Sequence, residues 1–196
     1  MESASLLPAQ DGFYQGWYDL RTGTTAWENV DDDPMSEDHA AHDGDASWFR
    51  LPLEVAAPSQ VGRVSVRINQ VGLHSILPAT VAVRIVARTV LYSALNPQNT
   101  TLQAGFCTYD GITNVGASFQ PTASYLVWDT SFTTNPFTGA SWQRGELAGL
   151  ELFIENIFVP VAGNTLHYSR VTQMLLAVTY ENGHYGSKRG PGAILR

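Results

Sequence analysis

The sequence predicts an all-β fold: an antiparallel β-sandwich or jelly roll with extended N- and C-terminal arms. Three observations carry that prediction. Hydrophobicity repeats with a period of two instead of 3.6. The periodic runs are short and punctuated by Gly, Pro and Asn turns. Charged residues make up 15% of the 196-residue chain against 44% apolar, where about 25% charge is typical of soluble domains. No internal repeat and no heptad segment is present, which excludes a solenoid or a coiled-coil shaft as the main body.

Taken in order, residues 1–12 (MESASLLPAQDG) show no periodicity and are assigned as an N-terminal arm that orders by docking onto something else. They have neither the basic start nor the apolar centre of a signal peptide. Residues 13–182 form the sandwich domain. Its first segment, 12-GFYQGWYDLRTGTTAWENV-30, reads as an aromatic hairpin around Thr22-Gly23. Residues 31–46 (DDDPMSEDHAAHDGDA) follow without apolar periodicity, as an exposed acidic loop.

The strand signals come next. In 62-GRVSVRINQV-71, Val64, Val66 and Ile68 alternate with Arg63, Ser65, Arg67 and Asn69. In 80-TVAVRIVARTVLY-92, Val81, Val83, Ile85 and Ala87 oppose Arg84 and Arg88. The run 123-ASYLVWDTSF-132 is β-branched and aromatic, with Trp128 in a strand core. In 171-VTQMLLAVTY-180, Met174, Leu176, Val178 and Tyr180 share one face and Leu175 and Ala177 the other, the pattern of a central strand covered on both sides. Turns fall at 96-NPQN-99, 110-DGITN-114, 135-NP-136, 163-GN-164 and 182-NG-183. Residues 183–196 (GHYGSKRGPGAILR) form the C-terminal arm.

Charge narrows the function classes. Residues 1–50 hold 11 of the 18 acidic side chains and 2 of the 11 basic ones, and the net charge is −7. Phosphate contacts need clustered Lys and Arg, so a nucleic-acid binder is not indicated. No apolar run approaches a membrane span. Cys107 is the single cysteine, so no intrachain disulfide can form.

The stretch 135-NPFTGASWQRGELAGLELFIEN-156 mixes a turn, a short helical segment and a strand with Trp142, Glu146, Glu151 and Glu155. Ser141 is the expected helix cap and Gly149 the expected stop. Glu151 and Glu155, four apart on a strand, would lie about 13 Å from each other. That exceeds both the roughly 5 Å and the roughly 6.5–9.5 Å separations of glycosidase acid pairs. They therefore read as a solvated strand face, with Glu146 able to join only by folding back.

No nucleophile elbow, dinucleotide fingerprint or Walker loop is present. Cys107 reads as a strand-end hydrophobe, and His74 and His167, among apolar neighbours, as core or interface histidines. No cofactor is expected. The acidic loop with His39 and His42 fits no metal-binding spacing, and calcium bridging to a neighbouring subunit is the one ion it suggests. The candidate partner interface is Trp17, Trp27 and Trp48 with Tyr185, Arg189, Ile194 and Leu195 of the C-terminal arm. Aromatics aligned on an exposed face would instead suit a carbohydrate- or receptor-binding, lectin-like module.

An ordered set of short motifs runs through residues 13–181: 27-WENV-30 with 31-DDD-33 and 47-SWF-49, then 133-TTNPFTGASW-142, 146-ELAGLELFI-154 and 171-VTQMLLAVTY-180. The set resembles β-sandwich modules of virion proteins in tailed bacteriophages. Gln143-Arg144 depart from the Thr-Trp-x-acid that often follows the Trp in such modules. The resemblance implies a non-enzymatic virion structural protein, first a capsid decoration or accessory protein and second a tail component. Its partners would be the major capsid protein or other virion proteins, its state a homo-oligomer such as a trimer, and its destination the virion, assembled in the host cytoplasm. The family has no agreed catalytic residues, so none is transferred.

Overall fold

A computed structural model describes residues 2–15, 19–20, 25, 30, 49–51, 60–68, 73–91, 100–158, 167–180 and 194–195. The alternating runs become strands because each can bury one row of apolar side chains while its backbone pairs with neighbours. The strands are β1 (Glu2–Leu6), β2 (Pro8–Gln15), β3 (Asp19–Leu20), β4 (Phe49–Arg50), β5 (Gln60–Ile68), β6 (Pro78–Leu91), β7 (Thr100–Thr108), β8 (Thr113–Val115), β9 (Leu126–Phe132), β10 (Leu150–Phe158), β11 (His167–Tyr180) and β12 (Ile194–Leu195).

Two sheets form. In the seven-stranded sheet β11 is central: β6 and then β9 lie on one side, and β1 with β12, and β4 with β3, lie along the other. The five-stranded sheet has the order β2-β5-β10-β7-β8. Every pairing is antiparallel except β1 with β12. The chain crosses between the sheets repeatedly, as from β1 to β2 at Leu7 and again between β5, β6 and β7. The fold is the β-sandwich that the hydrophobic period predicts.

Its core lies between the sheets. Val64, Val66 and Ile68 of β5, Leu102, Ala104 and Phe106 of β7, and Leu150, Leu152 and Ile154 of β10 face Val81, Val83, Ile85 and Ala87 of β6 and Met174, Leu176 and Val178 of β11. Each fully buried Val, Leu, Ile or Met contributes about 1.5–3 kcal/mol. Trp128 packs against this core half-buried, stacked on Phe119 at 4.8 Å and 15°. On the outward face of β11 Leu175 is buried, as is Val86 on β6, so β11 is covered on both sides as its pattern implies.

Residues 1–12 are not an arm. Glu2–Leu6 pair with β11 and Pro8–Gln15 pair with β5, which makes the N-terminus a strand of each sheet in turn. Only Ala4 and Leu6 of β1 are buried apolar residues, too few for alternation to show in the sequence. At the C-terminus Ile194 and Leu195 lie beside Ser5 and Leu6 at the edge of the larger sheet. The rest of the C-terminal arm, the acidic loop 31–46 and the Thr22-Gly23 turn fall outside the described residues.

Residues 135–149 form the corner that leads into β10. Asn135 Oδ1 accepts from Phe137 N at 2.9 Å and Asn135 N donates to Ala140 O at 2.8 Å, which closes the turn. Trp142 is buried, edge-on to Phe106 at 6.0 Å, with Nε1 donating to Phe132 O at 3.1 Å. The helical segment is a 3-10 turn, Glu146–Gly149, and its cap is Gly145 at φ 80°. Ser141 is exposed and does not cap it. A left-handed entry favours glycine over any hydroxyl side chain.

Candidate binding surface on the five-stranded sheet

The outward row of β10 is Glu151, Phe153 and Glu155. The sequence placed these residues on a solvated face, but Glu151 and Phe153 are 0% exposed and Glu155 is 9% exposed. The cause is β2. Its register with β5 slips between Asp11 and Gln15, so residues 12–14 arch over the outward face of the sheet. Tyr14 rests on Phe153 at 5.5 Å. Gly12 sits against Glu151 and Ser65 so closely that a Cβ there would overlap both side chains.

A buried carboxylate is tolerated only with donors around it. Glu151 has three: Phe13 N at 2.7 Å, Ser65 Oγ at 2.6 Å and Arg67 Nε at 2.9 Å. Ser65 Oγ in turn accepts from Tyr14 N at 2.9 Å, so one hydroxyl ties the arch to the carboxylate. One rung along, Arg63 Nε reaches Glu155 at 3.2 Å. Both pairs follow from register, with Arg67 opposite Glu151 and Arg63 opposite Glu155. The matching signal is present in the sequence: Arg-x-Ser-x-Arg over 63–67 and Glu-x-Phe-x-Glu over 151–155. It becomes legible only when the two runs are laid side by side as neighbours.

Cys107 faces the same surface opposite Glu151 and is buried. Burial first, then the negative charges of Glu151 and Asp110, push its thiol up to about 12. It stays protonated at neutral pH, the state of a small hydrophobe and not of a nucleophile.

Beside this covered face lies an exposed one. The β7–β8 turn, Tyr109 to Ile112, is closed by Gly111 N to Thr108 O and Thr108 N to Ile112 O, both 2.9 Å. Gly111 adopts φ 87°, and the Thr108 hydroxyl donates to Asp110. The Phe13 ring lies over Gly111, where a Cβ would come within 2.6 Å of it. Tyr14 Oη donates to Gly111 O at 2.8 Å. Tyr109 is held on one ring face by the Arg67 guanidinium at 4.7 Å, and its hydroxyl donates to Ala148 O at 3.0 Å. Phe13, Tyr109 and Ile112 nevertheless remain 52%, 41% and 59% exposed. Among the described residues the only other large exposed hydrophobic is Val127, on the opposite sheet.

The sequence reading passed over this ledge. Its signal is two bulky apolar residues flanking an Asp-Gly turn, a place where no core requires them. Of the interface residues the sequence suggested, Trp17, Trp27, Trp48, Tyr185 and Arg189 lie outside the described residues, and Ile194 and Leu195 lie in β12 of the other sheet. Described acids do not converge: Glu151 and Glu155 each face an arginine, and the Glu146 carboxylate accepts from Gln143 N at 2.7 Å. Among the described residues no cluster of three or more His, Cys, Asp or Glu is arranged to hold a metal ion.

Neither a protein-family model nor a curated protein matches the chain. Among solved structures it is similar to the CBM22-1 xylan-binding domain of Paenibacillus barcinonensis Xyn10C, with 16% identity over 90% of this chain and 94% of that one and a TM-score of 0.39. It is likewise similar to a CBM4 structure, with 15% identity over 84% of this chain and 96% of that one and a TM-score of 0.38. At these values the likeness carries no argument about this chain.

Proposed function

We propose that this chain is a non-catalytic binding module that acts through surface contact. One observation carries the reading: the acids on the outward sheet face are spent on arginines and on the β2 backbone, while Phe13, Tyr109 and Ile112 are presented to solvent on a braced turn. Bound carboxylates of this kind position a backbone; they do not transfer protons to a ligand.

The assembly in which the module works is, in this reading, the particle of a tailed bacteriophage, with capsid decoration first and a tail position second. Support comes from the sequence resemblance. Its motifs build the fold: 133–142 forms the Trp142 corner and 171–180 the central strand of the larger sheet. Partners would be the major capsid protein or other virion proteins, with the chain itself in a homo-oligomer. Mass spectrometry of purified virions tests this directly. Copy numbers in step with the major capsid protein are expected for decoration, and far lower numbers for a tail component. Absence of the chain from purified particles would overturn the virion reading.

A further inference from the structure

We infer that the Phe13–Tyr109–Ile112 ledge is a binding site for a neutral saccharide. The inference rests on the binding-module reading and is independent of which assembly carries the module. Size is the first argument. A stable protein–protein contact buries roughly 800 Å² on each partner, whereas among the described residues the ledge offers three side chains and the next large exposed hydrophobic is on the opposite sheet. A patch of two rings and one aliphatic side chain matches one or two sugar rings, whose C–H faces pack on aromatic faces.

Rigidity is the second argument. Tyr109 cannot swing, because Arg67 occupies one ring face and Ala148 O holds its hydroxyl. Phe13 is set against Gly111 and edge-on to Tyr14 at 4.9 Å. Its backbone N–H is bound to Glu151. Rings already immobilised lose little entropy when a ligand arrives, which weak one-sided stacking requires.

Charge is the third. Arg63 and Arg67, the cations behind the ledge, are matched by Glu155 and Glu151. The exposed charge on the turn itself is Asp110, whose Oδ1 receives the Thr108 hydroxyl. Its other oxygen can accept from a sugar hydroxyl. Among the described residues around the ledge, no cation is left unmatched for a polyanionic ligand.

Isothermal titration of the full chain with a panel of neutral hexose and pentose oligosaccharides, and with a sulfated oligosaccharide as the charged control, tests the assignment. Saturable binding of a neutral member is expected, with a dissociation constant on the order of 1 mM. Tyr109→Ala and Phe13→Ala should each weaken it at least about tenfold. Tyr109→Phe, which keeps the ring but releases it from Ala148 O, should weaken binding less than Tyr109→Ala does, and Val127→Ala on the opposite sheet should leave it unchanged. Ile112→Ser, at the most exposed position, gives a ledge variant that leaves the braced rings in place, and it too should weaken binding. Binding of the sulfated member alone, binding of no neutral member, or binding unchanged in the ledge variants would each overturn the inference. The titration reads the ledge and virion composition reads the assembly, so the two proposals fail separately.

Discussion

Leu150, Leu152 and Ile154 on one face of β10 and Glu151, Phe153 and Glu155 on the other are all withdrawn from solvent, yet different forces hold them there. The inward row packs against the other sheet with no polar partner to find. Its stabilisation is non-directional and scales with apolar area. The outward row is buried by an arch of β2 that is tied down by Phe13 N on Glu151, by Tyr14 N on Ser65 Oγ, which itself donates to Glu151, and by Tyr14 Oη on Gly111 O. A dry core tolerates imprecision in angle; a buried carboxylate network does not. The outward row therefore fixes where the Phe13 edge of the ledge sits, and the inward row does not.

The largest effects should come from breaking each face in turn. Leu152→Ala should cost about 2–5 kcal/mol in chemical denaturation by leaving a cavity. Glu151→Ala should cost about 2–4 kcal/mol by leaving Ser65 and the Phe13 N–H without their acceptor, while the half-exposed Arg67 turns to water. The two variants separate in hydrogen exchange, where Glu151→Ala should deprotect the Phe13 and Tyr14 amides and Leu152→Ala should leave them in their wild-type order of protection. Replacing the network together, with Ser65→Ala, Arg67→Met and Glu151→Met, should recover most of the loss, since an apolar substitute of similar volume is often neutral. If the triple variant is no more stable than Glu151→Ala, the network account of the outward face is wrong.

A smaller effect is expected at Gly12. Gly12→Ala places a methyl group against Glu151 and Ser65 and should cost about 1–3 kcal/mol through overpacking, measured by thermal melting. Smaller again is Arg84→Ala. Arg84 pairs with Asp129 through two bonds of 2.7 and 2.8 Å, and here the carboxylate as well as the guanidinium is exposed to solvent. Its loss should cost only about 0.2–1 kcal/mol and should shrink further in high salt. The two arginines are similarly exposed and only the carboxylates differ in burial, which makes that pair the control for Glu151–Arg67.

At neutral pH the smallest effect is at Cys107. With the folded thiol pushed up to about 12, alkylation by iodoacetamide should be negligible at pH 8 without denaturant and prompt once the chain unfolds. The sign of the linkage follows from the same shift. The folded chain holds the thiol proton more tightly, so the associated stability is intact below the unfolded thiol's range. It is lost as pH rises from there toward about 12, where the unfolded chain has already released its proton.

The residues that were legible in the sequence are those whose environment is set by their own strand. Val64, Val66 and Ile68, or Met174, Leu176 and Val178, alternate because one face of each strand is core. The Asn135-Pro136 turn was legible because its hydrogen bonds close within a few residues. Glu151 was misplaced because alternation identifies a second face without saying what lies over it, and what lies over it is a segment 138 residues away in the chain. The N-terminal strands were misplaced for a related reason. Glu2–Leu6 bury little on their own and are strands only because β11 offers them a free edge.

Period-two hydrophobicity, turn chemistry and sparse charge were sufficient, as sequence properties, to determine a β-sandwich, because they act within a strand or between adjacent residues. Tertiary structure alone decided which polar residues became interior and which apolar ones stayed outside. It set Arg67 opposite Glu151, drew β2 across the sheet, and left Phe13, Tyr109 and Ile112 in solvent. Those outcomes depend on register between distant segments, and the free energy of a buried charge or a braced ring exists only once its partners have arrived.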